Sequence, residues 1–168
     1  IVIDLPGHGE SVKDIKEPIL DCFNQAVSDV IDDQRIKYFT LAIINHPGSL
    51  SQLINEKNAR INHLILIEPW FVDRMFIEEY IEKGLPDIKK EWHGGHLNQY
   101  WYMVRDSKLF WPWYNTVIDG IMDIKPQLDE GQLQHEVTEL IRSESNWRSA
   151  MINSLNASLE SKINLKTT

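Results

Sequence analysis

Hydrophobic residues in the first 70 positions form three short runs, which are separated by two stretches of helical character. The runs lie at 1–4, 38–44 and 61–67 and read IVID, YFTLAII and INHLILI. Continuous apolar runs of this length, rich in β-branched residues, are typical of strands that are buried on both faces. Helices are predicted between them, over 18–33 and 47–57. This alternation of three strands with two helices is typical of a parallel sheet with right-handed crossovers.

Beyond residue 70 the pattern predicts helices and no further strand. The predicted helices span 73–83, 96–105, 133–143 and 147–163. An aromatic stretch, FWPWY at 110–114, separates the second of these helices from the third. The chain is therefore predicted to contain an α/β region at 1–70, a helical cap at 71–145 and a helix at 146–168 that returns toward the first region.

Composition and charge narrow the class of protein. The 168 residues are enough for one domain with a sizeable core. Seventeen Lys and Arg against 25 Asp and Glu give a net charge of −8, which argues against a nucleic-acid partner. No apolar run approaches the roughly 20 residues that span a bilayer, so no membrane partner is expected. Cys22 is the single cysteine, which excludes an internal disulfide and a cysteine-built metal site and favours a reducing, cytoplasmic location.

Two motifs in the α/β region resemble those of the α/β-hydrolase family. DLPGHGES at 4–11 is similar to the family's strand-end loop, D-x-P-G-x-G-x-S, in which glycines permit positive φ. The strand at 38–44, a tight turn, a helix and the strand at 61–67 follow the family's order around its nucleophile elbow, G-x-S-x-G. The elbow here reads INHPG, so that His46 stands where serine is expected and Gly48 alone matches the motif.

The second half of the chain resembles the helical cap of one bacterial subgroup of this family. WHGGHL at 92–97, Trp101, Arg-Asp at 105–106 and LFWPWY at 109–114 follow the subgroup's order of D-G-S-H-L, W, R-D and F-W-P-W-Y. That subgroup also has an elbow of the form G-x-H-T-G, so His46 is a subgroup trait under this resemblance. The resemblance implies a partial α/β-hydrolase-type parallel sheet with an all-helical cap.

The resemblance also implies a function and a set of site residues. The expected function is that of a hydrolase-family enzyme acting on a small, largely apolar substrate, with His46 as base or proton relay. Pro47 has no N–H for an oxyanion hole, and the loss of one such donor typically costs about 10²–10³ in rate. Glu68, at the end of the third predicted strand, is a weaker candidate for a pocket carboxylate. The residues expected to line the substrate pocket are Trp92, His96, Trp101, Trp111, Trp113 and Tyr114.

Each of these interpretations has an alternative. The aromatic residues are equally suited to packing the core of a small cap, and His46 to a structural role in a site that has lost its chemistry. The protein would then be a non-catalytic ligand-binding or scaffold protein derived from this fold. No cofactor and no metal are expected. His93 and His96 have i, i+3 spacing, but no carboxylate pair of obvious geometry lies nearby in the sequence.

Both ends of the chain favour a fragment. Ile1 opens inside a predicted strand, and the family's first strands would precede it. The acidic residue and the histidine of a catalytic triad would follow residue 168, so the isolated chain is expected to be inactive. Unpaired apolar sheet edges favour association. We therefore expect either a homo-oligomer or pairing with missing flanking segments of the same protein.

Overall fold

Six α-helices and two β-strands form the regular structure of the part of the chain that the computed structural model describes, residues 1–15, 18–45, 47–70, 72–126 and 128–160. In chain order they are α1 (Ile19–Asp33), β1 (Phe39–Ile44), α2 (Ser51–Glu56), β2 (Ile61–Ile67), α3 (Arg74–Glu79), α4 (Gly95–Asp106), α5 (Glu130–Arg142) and α6 (Asn146–Glu160). A 3-10 turn at Pro47–Leu50 leads from β1 into α2, and a π turn at Tyr80–Gly84 follows α3.

β1 and β2 form a parallel sheet whose strands are connected through α2. The register pairs Phe39 with Ile61 and Ile44 with Ile67, with one irregularity after Phe39. A parallel pair with a helical crossover confirms the α/β class that the hydrophobic pattern predicts. The α/β-hydrolase type of sheet stays a prediction.

The first hydrophobic core lies between one face of the sheet and helices α1 and α2. Its buried side chains are Ile19, Phe23, Ile31, Ile43, Leu50, Leu53, Ile54 and Ala150. Leu53 and Ile54 are fully buried. Removing a side chain of that size from water contributes about 1.5–3 kcal/mol to stability, so α2, although short, is held firmly against the sheet.

The strands are buried on one face only, which corrects the prediction of burial on both faces. Ile44, Ile65 and Ile67 are 64%, 48% and 43% exposed, because α1 and α2 cover the opposite face. Among the described residues no second layer covers these side chains. A continuous apolar run shows that both faces can be buried, but the number of covering layers is set by elements far away in the sequence.

The strand predicted at 1–4 is not formed. Residues 1–5 are irregular, and Ile1 and Val2 are 84% and 98% exposed. A strand requires a neighbour that completes its backbone hydrogen bonds, and within the described ranges β1 and β2 pair only with each other. The sheet therefore has two strands in the described part of the chain, where three were predicted.

The predicted helices agree with the structure to within three residues at most ends, with three exceptions. The helix predicted at 47–57 begins as a 3-10 turn at Pro47–Leu50 and becomes α-helical only at Ser51. The helix predicted at 73–83 is divided into α3 and the π turn, and the one predicted at 147–163 extends beyond the described residues. Asp73 and Asp129 cap α3 and α5 by accepting hydrogen bonds from the backbone N–H groups of Phe76 and Gln132, both at 2.8 Å. No helix in the described part is long and apolar enough to cross a membrane.

A second hydrophobic core lies among α3 to α6. Its buried side chains are Ile77, Tyr80, Leu85, Tyr100, Met103, Val104, Leu133, Val137, Trp147 and Leu155. Helix α6 contributes to both cores, since Ala150 packs in the first and Leu155 in the second. The two cores are thereby joined along one helix.

Asn24 connects α1 to the start of α2 through a buried side-chain amide. Its Oδ1 accepts a hydrogen bond of 2.7 Å from the backbone N–H of Leu53, which lies in the first turn of α2 and has no partner within that helix. Its Nδ2 donates to the carbonyl oxygens of Leu20, at 2.6 Å, and Ser49, at 3.3 Å. One polar side chain therefore holds two helices together inside an apolar core.

We expect Asn24→Ala to lower the free energy of unfolding by about 1–3 kcal/mol, because the buried N–H of Leu53 would be left without a partner. Urea denaturation measures the change. The control is Gln25→Ala, since Gln25 is exposed and bonds only the exposed Asp29, and its expected change stays within about 0.5 kcal/mol. Equal unfolding curves for the two variants would contradict the connecting role of Asn24.

Gly48 is the point at which α6 lies directly against the turn after β1. Gly48 is buried, and a Cβ at this position would collide with the carbonyl oxygen of Ser154 and lie 2.7 Å from the backbone nitrogen of Ser158. Only a residue without a side chain permits this approach. The glycine is therefore needed for packing and not for an unusual φ.

Gly48→Ala is expected to destabilise the fold by about 1–3 kcal/mol, because the backbone of α6 cannot yield to the added methyl group without moving away from both cores. Thermal and urea unfolding provide the measurement. Gly131→Ala in α5 is the matched control, since its Cβ would meet only Asp129 Oδ1 at 3.4 Å. That variant is expected to gain a few tenths of a kcal/mol to about 1 kcal/mol. The interpretation of Gly48 fails if both alanines are tolerated alike.

Candidate functional site

A groove of about 540 Å³ lies where the α/β core meets the helical core. Small-molecule sites typically have volumes of about 300–1,000 Å³. The groove is lined by His8, Gly9 and Asn45 from the first part of the chain, by Tyr80, Gly84, Leu85, Met103, Val104, Ser107 and Trp113 from the middle, and by His135, Glu136, Glu139, Leu140, Ser143, Trp147 and Met151 from α5 and α6. Apolar side chains thus form most of its wall.

The loop at 4–13 brings His8 to the groove. Gly7 and Gly9 have φ values of 85° and 48°, as the D-x-P-G-x-G motif predicts for its glycines. The Asp4 carboxylate accepts a hydrogen bond of 2.9 Å from the backbone N–H of Glu10, which closes the loop. A Cβ at Gly7 would lie 2.9 Å from the Cβ of Asn146 at the start of α6, so the loop packs closely against this helix. The loop is therefore tied both to itself and to the helical core.

His8 was not singled out by the motif, yet the structure places it in the groove wall. Its Nδ1–H donates to the carbonyl oxygen of Pro6 at 3.1 Å, since a carbonyl can only accept. In the neutral ring Nε2 is then the unprotonated nitrogen and a proton acceptor. The ring also contacts Phe23 edge-on, with centroids 5.7 Å apart. The motif accepts any residue at position 8, so it provides no reason to select His8 as a candidate.

The C-terminal end of β1 reaches the groove at Asn45. This residue has a φ of 65° and lies immediately before His46. Its N–H donates to the carbonyl of Ile67 at 2.8 Å, and its own carbonyl accepts from the N–H of Trp70 at 3.0 Å. His46, the candidate for the elbow position, lies outside the described residues. The corresponding residue at the end of β2, Glu68, is exposed, has a φ of 48° and does not line the groove.

Trp113 is the one member of the predicted pocket set that lines this groove, where its Nε1–H donates to the carbonyl of Gly84 at 2.9 Å. Trp111 and Tyr114 belong to an aromatic cluster beside it. Trp101 is half-buried and packs against the second core. The structure therefore brings one residue of the FWPWY stretch, Trp113, to the groove and packs Trp111 and Tyr114 beside it.

The other two predicted pocket residues lie elsewhere. Trp92 is 97% exposed, with only the ring of His93 nearby at 5.5 Å. His96 lines a separate pocket of about 220 Å³, and its Nδ1 accepts a hydrogen bond of 3.1 Å from the backbone N–H of Glu91. Neither lines the 540 Å³ groove. Their role in substrate binding stays a prediction.

Tyr80 joins the aromatic cluster to the groove. Its ring lies 5.0 Å from Trp70, 5.8 Å from Phe76 and 6.0 Å from Tyr114. Burial, and to a lesser extent the neighbouring Tyr114, raises the pKa of Tyr80 to about 12. Burial also raises the pKa of Tyr114, whose buried hydroxyl has no hydrogen-bond partner among the described residues. Both phenols therefore remain neutral hydrogen-bonding groups over the whole physiological range.

The charged side chains of the groove are paired. Glu136 binds Lys108 at 2.7 Å, and Glu139 binds Arg142 at 2.9 Å. Arg142 also pairs with Glu10 and thereby connects α5 to the loop at 4–13. This pairing raises the pKa of Arg142. Glu136 and Lys108 therefore form a neutral pair, whereas Arg142 with Glu10 and Glu139 carries one net negative charge, and neither groove glutamate is unpaired.

The groove serines are not prepared to act as nucleophiles. The hydroxyl of Ser107 donates to the carbonyl of Val104 at 2.7 Å, and that of Ser143 donates to the carbonyl of Leu140 at 2.8 Å. A nucleophilic serine would instead donate to a base. Within the described residues no group of three His, Cys, Asp or Glu side chains is arranged to hold a metal ion.

No family model, no curated protein and no solved structure matches this chain.

The raised pKa of Tyr80 makes a prediction about alkaline stability. Its folded-state pKa of about 12 lies above the ordinary value of 10, so the folded state holds the proton longer than the unfolded state. Stability is therefore unaffected below about pH 10 and falls by about 1.4 kcal/mol per pH unit between pH 10 and 12. Tyr80→Phe removes this component, and urea unfolding at pH 9, 10 and 11 should show a shallower decline than in the wild type. Parallel declines in the two proteins would show that Tyr80 ionises normally.

Proposed function

We propose that this chain carries the small-molecule site of an α/β-hydrolase-like protein and that the groove binds a small, largely apolar substrate. The observation that carries this proposal is the meeting of three motif positions in one groove. His8 comes from the D-x-P-G-x-G loop, Asn45 from the elbow and Trp113 from the FWPWY stretch. These segments are far apart in the sequence, and ligands of α/β folds bind at the carboxyl ends of the parallel strands, where Asn45 lies.

The composition of the wall supports an apolar substrate. Met103, Leu140, Trp147 and Met151 provide aliphatic, thioether and indole surface, to which Trp113 adds a second indole. A few polar groups stand among them, which is the usual arrangement in small-molecule sites. Methionine side chains adapt to ligands of different shape. Both cations at these pairs, Lys108 and Arg142, are already bound to carboxylates, so neither is available to attract an anionic substrate.

The proposed reaction is hydrolysis, or a related C–O or C–C cleavage. His46 follows directly after Asn45 in the chain and is the proposed base or proton relay, because an imidazole titrates near neutral pH. His8 is a second candidate base, since its hydrogen bond to Pro6 leaves Nε2 as a proton acceptor. Pro47 offers no N–H for an oxyanion hole, which argues against ordinary serine-type chemistry at this elbow.

A non-catalytic binding protein is the second candidate function. It is favoured by the hydrogen bonds of Ser107 and Ser143 to helix carbonyls and by the mutual pairing of the groove's charged side chains. These contacts occupy hydroxyl and charged groups that an acyl-transfer site would keep available for the substrate. A protein of this kind would keep the groove and its ligand and show no turnover.

The two functions differ in their response to His46→Ala. If His46 acts as a base, hydrolysis of 4-nitrophenyl butyrate by the protein expressed from its complete gene should fall about 10²–10⁴-fold, while binding of the unreactive ether analogue changes less than twofold. His63→Ala is the control, since His63 is exposed on β2, and this variant should retain wild-type rates. Release of 4-nitrophenolate and quenching of tryptophan fluorescence provide the two measurements.

The outcome decides between the candidates. Full turnover in the His46→Ala protein would eliminate His46 as the base. Binding of the analogue without hydrolysis of the ester, by the wild-type protein expressed from its complete gene, would favour the non-catalytic function. A wild-type protein that neither binds the analogue nor hydrolyses the ester would contradict the proposal as a whole.

A further inference from the structure

The backbone of Asn45 is held in a conformation that few residue types adopt. Its φ of 65° lies in the left-handed region, where asparagine is several times more common than other residues with a side chain. Two backbone hydrogen bonds, to the carbonyl of Ile67 and from the N–H of Trp70, connect it to the end of β2 and the segment beyond. The position of its Cα is therefore set by the neighbouring strand, and its half-buried side chain is presented to the groove from a rigid base.

The amide of Asn45 differs from those of Asn24, Asn146 and Asn153 in its lack of partners among the described residues, and it shares that lack with the half-buried Asn115, which does not line the groove. Asn24, Asn146 and Asn153 each donate to a backbone carbonyl, at 2.6, 3.0 and 2.8 Å. Within the described part of the chain the side chain of Asn45 makes no hydrogen bond. An amide has two donor hydrogens and an acceptor oxygen. In a groove whose wall also carries Trp and Met side chains, a ligand that accepts from this amide gains a hydrogen bond for which Asn45 has no partner in the described part of the chain.

The surrounding charges define the chemistry of that partner. Glu136 and Glu139 are ion-paired at the groove edge, so Lys108 and Arg142 are already neutralised by them. The chain as a whole carries a charge of −8. An anionic ligand group would therefore meet no unpaired cation at these edge pairs and a repulsive overall field. A neutral oxygen acceptor avoids both costs.

We propose that Asn45 determines which substrates enter the groove, by donating a hydrogen bond from Nδ2–H to a neutral carbonyl oxygen of an otherwise apolar ligand. The ligand class is a small ester, amide or ketone with an aromatic or aliphatic body. The inference rests on the proposed function, since it assigns a role within the same groove. Asn45 is a specificity-determining residue in this scheme and takes no part in bond cleavage.

A pair of probes that differ by one oxygen tests this assignment. Methyl 2-naphthyl ketone has the carbonyl, and 2-ethylnaphthalene has the same ring system without it. Quenching of Trp113 and Trp147, which both line the groove, reports binding of either probe. In the wild-type protein the ketone is expected to bind about 10-fold more tightly than the hydrocarbon, which corresponds to one well-formed hydrogen bond.

Two substitutions remove the donor in different ways. Asn45→Asp keeps the size and the tolerance of positive φ but has no N–H to donate at neutral pH, and Asn45→Gly removes the side chain while permitting the same φ. Both should reduce the preference for the ketone to about twofold or less and leave binding of the hydrocarbon within about threefold. Arg35→Gly is the matched control, because Arg35 also has a left-handed φ, of 52°, and does not line the groove. Circular dichroism verifies that each variant is folded.

Each outcome decides the question. Loss of the ketone preference in both Asn45 variants and its retention in Arg35→Gly supports the assignment. If the wild type and both Asn45 variants prefer the ketone equally, Asn45 is not the selective residue, and the groove proposal survives. If the wild-type protein binds neither probe, the groove is not an apolar binding site, and the inference about Asn45 fails with it.

Discussion

The close contact between α6 and the turn that follows β1 is the constraint on which the rest of the structure depends. Gly48 allows the backbone of α6 to lie directly against this turn, with the carbonyl of Ser154 where any side chain would stand. Helix α6 takes part in both hydrophobic cores, through Ala150 in one and Leu155 in the other. A change in this contact therefore alters the relative position of the α/β and helical cores at the same time.

The groove is a consequence of that arrangement. The two cores share one helix and meet along a boundary, which we call the seam. The side chains on its two sides leave space between them, and this space is the groove. Asn45 at one side is fixed by β2, and Trp113 at the other is fixed through the carbonyl of Gly84. Arg142 connects α5 to the loop at 4–13 across the seam. The groove is therefore built from elements that are each anchored elsewhere, as a pre-formed binding site requires.

The aromatic residues that cluster in the sequence have two different roles in the structure. Tyr80, Trp70 and Phe76 form a packed group with Trp111, and the edge-on contact between Trp70 and Trp111 has centroids 4.7 Å apart. Such pairs contribute about 0.5–1.5 kcal/mol beyond their burial. Trp113, only two residues after Trp111, lies in the groove wall instead. One short segment thus supplies both the support for the site and part of its surface.

The local elements could be predicted from the residues alone, because each depends on neighbours within a few positions. Helical periodicity located α1, α4 and α5, β-branched runs located β1 and β2, and the glycines of the loop at 4–13 indicated the positive φ that Gly7 and Gly9 adopt. The folded structure was needed to show which faces are covered, that residues 1–4 form no strand, and that His8, Asn45 and Tyr80 meet in one groove. The covering of a sheet face, the pairing of strands and the meeting of side chains in a groove all depend on contacts between segments that are distant in the sequence. The residue types at those positions are compatible with several partners. A periodic pattern of apolar residues shows that a segment packs against a neighbour, but it does not show which segment that neighbour is.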